Sequence, residues 1–159
     1  MPNIVLVNPQ IPPNTGNIAR TCAATATPLH LVGPLGFELS DRQLKRAGLD
    51  YWPHVDLHLH DAWPQFQAHQ HIAQGRTIGF STSGRCSYIE LEYQPTDWLL
   101  FGSETEGLSP EVLAACDVTV HIPMERSVVR SLNLSVSVAI GLFESLRQLQ
   151  HLGSETSFK

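Results

Sequence analysis

Short apolar runs recur along the chain with helix-like segments between them, and this alternation constrains the fold more than any other feature. The runs 3–7 (NIVLV), 29–33 (LHLVG), 54–59 (HVDLHL), 76–81 (RTIGFS), 97–101 (DWLLF) and 118–122 (VTVHI) are of strand length. Apolar strands alternating with helices belong to a mostly parallel sheet covered on both faces. Segments 15–26, 40–48, 61–72 and 109–116 read as the helices, with Thr15, Ser40, Asp61 and Ser109 as N-caps and Pro110 at a first helical position. The expected fold class is therefore α/β. No linker, repeat or low-complexity block interrupts the pattern, so residues 1–159 are expected to form one domain, with 153–159 as a flexible tail.

The last helix, about 132–150, is apolar on more than one stripe. Leu132, Val136, Ala139, Phe143 and Leu146 lie on one face, while Leu134, Val138, Leu142 and Leu149 continue around it. Such a helix needs burial on two sides. In so small a chain the second side is expected to meet another copy, giving a homodimer through the 132–150 helix.

Ten Lys and Arg against fifteen Asp and Glu leave a formal charge of -5, which excludes holding nucleic acid by bulk positive charge, because phosphate binding works by displacing counterions with Lys and Arg. A small basic patch stays open. No apolar stretch approaches a membrane span, and the 3–7 run lies too close to Met1 for a signal peptide, so a cytoplasmic protein with no membrane contact is expected. Cys22, Cys86 and Cys116 contain no C-x-x-C pair and read as buried reduced thiols.

Ligands of open α/β sheets bind beyond the carboxyl ends of the strands, which directs attention to three loops. The first, 8–20 (NPQIPPNTGNIAR), has three prolines fixing φ and a helix start expected to offer backbone N–H donors to an anion. Asn17 and Arg20 fall three apart on one side of that helix. The second, 102–107 (GSETEG), is bracketed by glycines that permit close backbone approach, and the alternation of its carboxylates predicts that one of them faces the site. The third, 122–135 (IPMERSVVRSLNLS), enters the last helix. There capping accounts for Ser131 but explains Asn133 less well.

The signatures G-x-G-x-x-G, Walker A, H-E-x-x-H and G-x-S-x-G are absent, which lowers dinucleotide oxidoreductase, P-loop NTPase, zincin and serine hydrolase readings. His54, His58 and His60 share a strand face with Asp56, opposite Val55, Leu57 and Leu59. The simplest account is the solvent-facing side of an outer strand, so no metal is expected, and a metal-dependent hydrolase is the weakest reading.

In this order and at this spacing, "IPPNTGNIAR" (11–20), "RAGLDYW" (46–52), "FGSETEGL" (101–108) and "IPM…VRSLNLSVSVAI" (122–140) resemble the motifs of the trefoil-knotted SPOUT RNA methyltransferases, and more closely the TrmL/YibK-type tRNA 2'-O-methyltransferases. The resemblance implies a C-terminal trefoil knot and S-adenosylmethionine as methyl donor. The implied cofactor pocket uses Phe80, Gly102, Glu104, Ile122, Met124, Ser131, Leu132 and Asn133, mostly through backbone groups. The implied reaction is methylation of the ribose 2'-hydroxyl of the wobble nucleotide, position 34, cytidine or modified uridine, in a tRNA anticodon loop, with tRNA-Leu as the implied species. The alternatives are a knotted S-adenosylmethionine- or RNA-binding module without turnover, and a methyltransferase acting on another RNA ribose.

The resemblance also implies a catalytic role for Arg20. A guanidinium stays protonated in proteins, so we read Arg20 as a clamp on a phosphate and the developing oxyanion, with a phosphate oxygen or water taking the proton. Asn14 would support the first loop, and Ser131 and Asn133 would orient the ribose hydroxyl or Arg20. Asn8 and Gln10 stand where relatives carry acids, which leaves the first loop without a carboxylate base. Arg42, Lys45, Arg46, Arg126 and Arg130 are the expected RNA contacts.

Overall fold

The run Asn3–Val7 forms β1, and it is apolar along its length because both faces of the strand are covered: Ile4 and Leu6 enter one core, Val5 and Val7 the other. The structure is a computed structural model and describes residues 1–40, 51–125 and 127–150. Within them the remaining strands are β2 (Leu29–Val32), β3 (Leu57–His60), β4 (Thr77–Phe80), β5 (Cys86–Ser87), β6 (Trp98–Phe101) and β7 (Val118–His121). They lie in the order β3-β2-β1-β6-β4-β7-β5, and every pairing is parallel.

Helices α1 (Pro12–Thr25) and α4 (Leu134–Gln148) pack on the face carrying Ile4, Leu6, Leu31 and Leu99, through Ile18, Cys22, Val138 and Leu142. Helices α2 (Trp63–Ala73) and α3 (Pro110–Ala115) cover the other face through Phe66 and Val112. The α/β class with helices on both faces is thus borne out. No helix among the described residues is long and apolar enough to cross a membrane. Cys22, Cys86 and Cys116 are free, and burial pushes the Cys22 and Cys116 thiols up to about 12.

Several boundaries differ from the sequence reading. Helix α1 starts at Pro12, not after a Thr15 cap, because Pro12 and Pro13 fit the first turn, where no N–H is needed. Its cap position is Ile11, whose carbonyl accepts the N–H groups of Asn14 and Thr15, so the expected array of free donors is absent there. Asp61 does not cap α2; the helix begins after Ala62, and the Gln65 side chain accepts the Asp61 N–H. Ser109 does cap α3, accepting from the Val112 N–H at 3.3 Å. The expected strand 54–59 is split, since Trp52–His54 forms one 3-10 turn around Pro53 and β3 starts only at Leu57. The expected helix 40–48 beyond Ser40 lies outside the described residues, as does the tail 153–159.

The histidine face is also corrected. Strand β3 is an edge strand, yet His60 is buried, and Leu59, from the face expected to be covered, is 53% exposed. The reason is His30 on β2, whose Nδ1 lies 3.0 Å from His60 Nε2, satisfying both rings beneath α2. His58 stacks on His30 with centroids 4.4 Å apart, and Trp98 meets His30 edge-on. Among the described residues no group of His, Cys, Asp or Glu is arranged to hold a metal ion.

In α4, Leu134, Val138, Leu142 and Leu146 are buried, while Val136 and Phe143 are 46% and 43% exposed. The helix is two-faced as expected, although Leu146 belongs to the inner stripe. Gly141 is required where α4 crosses the sheet, since a Cβ there would come within 2.6 Å of Phe80 Cζ.

Candidate active site

All strands run the same way, so the segments leaving β1, β4, β6 and β7 emerge at one edge of the sheet. The segment after β1 opens with Asn8 at φ 53°, a left-handed conformation that asparagine tolerates. Its Nδ2 donates to the Pro34 carbonyl at 3.2 Å, and Gln10 Nε2 donates to the Asn8 carbonyl at 2.8 Å. Asn8 and Gln10 therefore shape this loop.

After β6 the chain doubles back: Ser103 and Gly107 exchange backbone hydrogen bonds of 3.2 and 2.9 Å, and Ser103 Oγ accepts the Glu106 N–H. Gly102 makes this possible, because a Cβ there would lie 1.9 Å from the carbonyl carbon of Gly107. Both Glu104 and Glu106 line the cavity beside it, against the expectation that at most one would face the site; residues two apart point the same way wherever side chains alternate.

That cavity, about 260 Å³, has an apolar floor of Phe80, Phe101, Leu108, Ile122, Leu132 and Leu134 and a polar rim that includes Ser103, Glu104, Glu106, Arg130 and Ser131. Phe80 and Phe101 are stacked with centroids 4.5 Å apart. Of the expected cofactor residues, Phe80, Glu104, Ile122, Met124, Ser131 and Leu132 line the cavity, and Gly102 builds the turn that bounds it. A flat apolar group fits the floor and a cationic group fits the two carboxylates, as S-adenosylmethionine requires.

From Glu104 on the cavity wall one hydrogen-bonded chain runs through the three loops. The Glu104 carboxylate accepts from the N–H groups of Gln10 (2.8 Å) and Ile11 (3.0 Å) and from Asn14 Nδ2 (3.2 Å). Asn14 is buried and its Oδ1 accepts from Asn133 Nδ2 at 3.0 Å. Asn133 Oδ1 in turn accepts from the N–H and hydroxyl of Ser135, at 2.8 and 2.7 Å. Asn133, not Ser131, is therefore the cap of α4, and it caps the helix while bonding across to the first loop. Glu104 was expected to matter through its backbone; its side chain is what joins the loops. No pattern in the sequence signals that use.

The structure brings Asn14, Glu104 and Asn133 together and puts Ser131 on the rim, but it does not bring Arg20 to them. Arg20 is exposed on α1, outside the cavity wall, with its guanidinium carbon 5.6 Å from the centroid of the Tyr51 ring. Neither Ser131 nor Asn133 orients it. Arg130 lines the cavity, whereas Arg42, Lys45, Arg46 and Arg126 lie outside the described residues. Glu106 and Ser137 also line the cavity and were missed, as was Tyr51 beside Arg20.

The sequence signature of the SpoU rRNA Methylase family matches residues 1–143. A relative from Synechocystis sp., provisionally named a tRNA (cytidine(34)-2'-O)-methyltransferase, is 60% identical over 153 residues, covering 96% of this chain and all of its own. A solved structure concerned with 2-OH methylation of C/U34 on tRNA superposes with a TM-score of 0.89 at 51% identity, over 94% of this chain and 97% of its own. An AdoMet-bound rRNA methyltransferase from Sinorhizobium meliloti superposes with a TM-score of 0.85 at 26% identity, over 96% of this chain and 57% of that longer one.

Proposed function

The chain belongs to the SpoU methylase family, and from that premise we propose that it is an S-adenosylmethionine-dependent tRNA methyltransferase acting on the ribose 2'-hydroxyl of nucleotide 34, cytidine or uridine. The relatives named for that reaction match nearly the whole chain. The observation that carries the reading is the bonded chain from Glu104 through Asn14 to Asn133, which ties the first, second and third loops together beside the cavity that Glu104 lines.

Phe80, Phe101, Ile122 and Leu132 would hold the cofactor's flat base, and Ser131 and Arg130 stand at the rim where a ribose and its phosphate would enter. When bound, S-adenosylmethionine would supply an electrophilic methyl group to the 2'-oxygen, its methyl–sulfur bond breaking to leave the thioether S-adenosylhomocysteine while the hydroxyl gives up its proton. Arg20 clamps the neighbouring phosphate and the growing negative charge, with a phosphate oxygen or water taking the proton. Because Arg20 lies off the wall of its own cavity, we infer that two copies pair through the outer face of α4, where Val136 and Phe143 are exposed, and that the pair completes the site. Such an enzyme acts where tRNA is, in the cytoplasm. The C-terminal knot implied by the motifs belongs to the same reading.

The test is methyl transfer from labelled cofactor to unmodified tRNA, with the 2'-O-methyl group mapped to its nucleotide. Methylation confined to position 34 is expected, and transfer to another position, or none, overturns the reading. Arg20→Ala is expected to keep cofactor binding while lowering transfer by about 100-fold or more, the scale of losing one charge-stabilising group. Equal loss of both would remove the role given to Arg20.

A further inference from the structure

Tyr51 touches α1 at two points. Its hydroxyl donates to the Gly16 carbonyl at 3.1 Å, and its ring lies beneath the Arg20 guanidinium, 5.6 Å from centroid to carbon. Gly16 and Arg20 are one helical turn apart, so in α-helical geometry the Gly16 carbonyl is also the acceptor of Arg20's own backbone N–H. The phenol is thereby registered on the helix at one end and presents its face to the side chain at the other. Burial pushes the Tyr51 hydroxyl up, which keeps it a donor at neutral pH.

The kind of contact matters. A guanidinium has a face and an edge: the face stacks on aromatic rings, while the edge carries the N–H fork that grips phosphate and carboxylate. Among the described residues Arg20 makes no ion pair with a carboxylate, which would have occupied the fork. A seat over the Tyr51 ring restrains the long stem without supplying an acceptor for the fork. The rotamer freedom that an exposed arginine otherwise loses on meeting its ligand is reduced beforehand.

We propose that Tyr51 is the positioning residue for Arg20, holding the guanidinium by its face so that the N–H fork is free and already aimed when a ribose–phosphate arrives. The proposal rests on the role given to Arg20 above. Tyr51→Leu removes the ring, and Tyr51→Phe keeps it while losing the bond to Gly16. For Tyr51→Leu, kcat on tRNA is expected to fall by about 3- to 30-fold, the span of cation–π strengths, with cofactor affinity unchanged. Tyr51→Phe is expected to recover most of that loss.

A readout independent of turnover is the Arg20 side-chain Nε–H resonance, identified by its absence from Arg20→Lys. In the wild-type protein it is expected upfield of a free arginine because of the ring current, and in Tyr51→Leu at the unstacked position. The wild-type resonance decides the contact even where Tyr51→Leu fails to fold. An unstacked position in the wild type overturns the proposal. So does wild-type kcat in Tyr51→Leu, or an equal loss of kcat and cofactor binding in both variants. A wild-type protein that methylates no tRNA defeats the proposed function instead, and the resonance then reports on the stacking alone.

Discussion

Glu104→Gln is the sharpest perturbation of the cavity mouth. The carboxylate uses Oε1 for the Ile11 N–H and Asn14 Nδ2, and Oε2 for the Gln10 N–H. Glutamine retains one oxygen. Its best placement keeps that oxygen at the Oε1 position, which sets the new NH2 against the Gln10 N–H, donor facing donor at a separation that was 2.8 Å. One charge-assisted bond is lost outright, and two others fall to neutral strength. Hydrogen bonds to charged groups are worth about 1.5–3 kcal/mol, and the exposure of two of these three calls for a discount, leaving about 1–2 kcal/mol, or roughly 5- to 30-fold. The variant should bind S-adenosylmethionine weaker by that factor in calorimetry. Single-turnover methyl transfer should fall further, because Asn14 loses its anchor and Asn133 with it. The unfolding temperature should change little, since the network lies at the rim and not in either apolar core. Wild-type cofactor affinity and wild-type transfer in Glu104→Gln would refute the claim that this tether organises the site.

Two further outcomes are expected. Burial beside His58, His60 and His69 pushes His30 down to about 3, and burial also lowers His60. Unfolded imidazoles titrate near 6.5, so between roughly pH 6.5 and 3 the unfolded chain binds a proton that the fold denies to His30, and stability falls on acidification by up to about 1.4 kcal/mol per pH unit, with His60 acting in the same direction. Urea midpoints measured from pH 7.5 to 5 should decline below about pH 6.5 and less steeply in His30→Gln; a flat wild-type profile contradicts this. Separately, sedimentation at micromolar concentration should give a dimer and Phe143→Glu a monomer with impaired transfer, whereas a monomeric wild type rules out pairing through α4.

The sheet was most legible at β1 and β6, where Ile4, Val5, Leu6 and Val7 and Trp98, Leu99, Leu100 and Phe101 are apolar on both faces, the pattern of strands covered on both sides. The cavity floor was legible through the family resemblance alone, which implied Phe80, Ile122 and Leu132 as cofactor residues. What composition and period leave hidden is pairing across the fold. His30 and His60 are 30 residues apart and each looks solvent-tolerant alone; only their 3.0 Å contact makes burial affordable. Glu104 likewise reads as a surface acid until the backbone N–H groups of Gln10 and Ile11 stand opposite it. The β5 pair Cys86–Ser87 is too short to leave a periodic signal, and Tyr51 gains its meaning only from a helix that begins 39 residues earlier.

The net charge of -5 acquires a geometry in this fold. Asp56, Asp97 and Asp117 each immediately precede a strand, β3, β6 and β7, and in a parallel sheet all three therefore sit at the edge opposite the cavity. Each has work there: Asp56 lies 3.0 Å from His58, Asp97 is gripped by Arg76 at 2.9 and 3.0 Å, and Asp117 accepts the Thr77 N–H and hydroxyl. Strands of four residues separate the two edges by about 13 Å at ~3.3 Å per residue. That exceeds the Debye length of about 8 Å in physiological salt, so the exposed Asp56 and Asp117 are largely screened from a phosphate near the cavity, while the buried Asp97 is neutralised by Arg76. At the mouth itself, Glu104 is engaged by the first loop. On the proposed function, a tRNA backbone approaching that edge is expected to respond to Arg130 and Arg20 more than to the chain's total charge. The acidic total predicts a shallow salt dependence of tRNA binding, with recognition falling to the shape of the anticodon loop; a steep salt slope would contradict this.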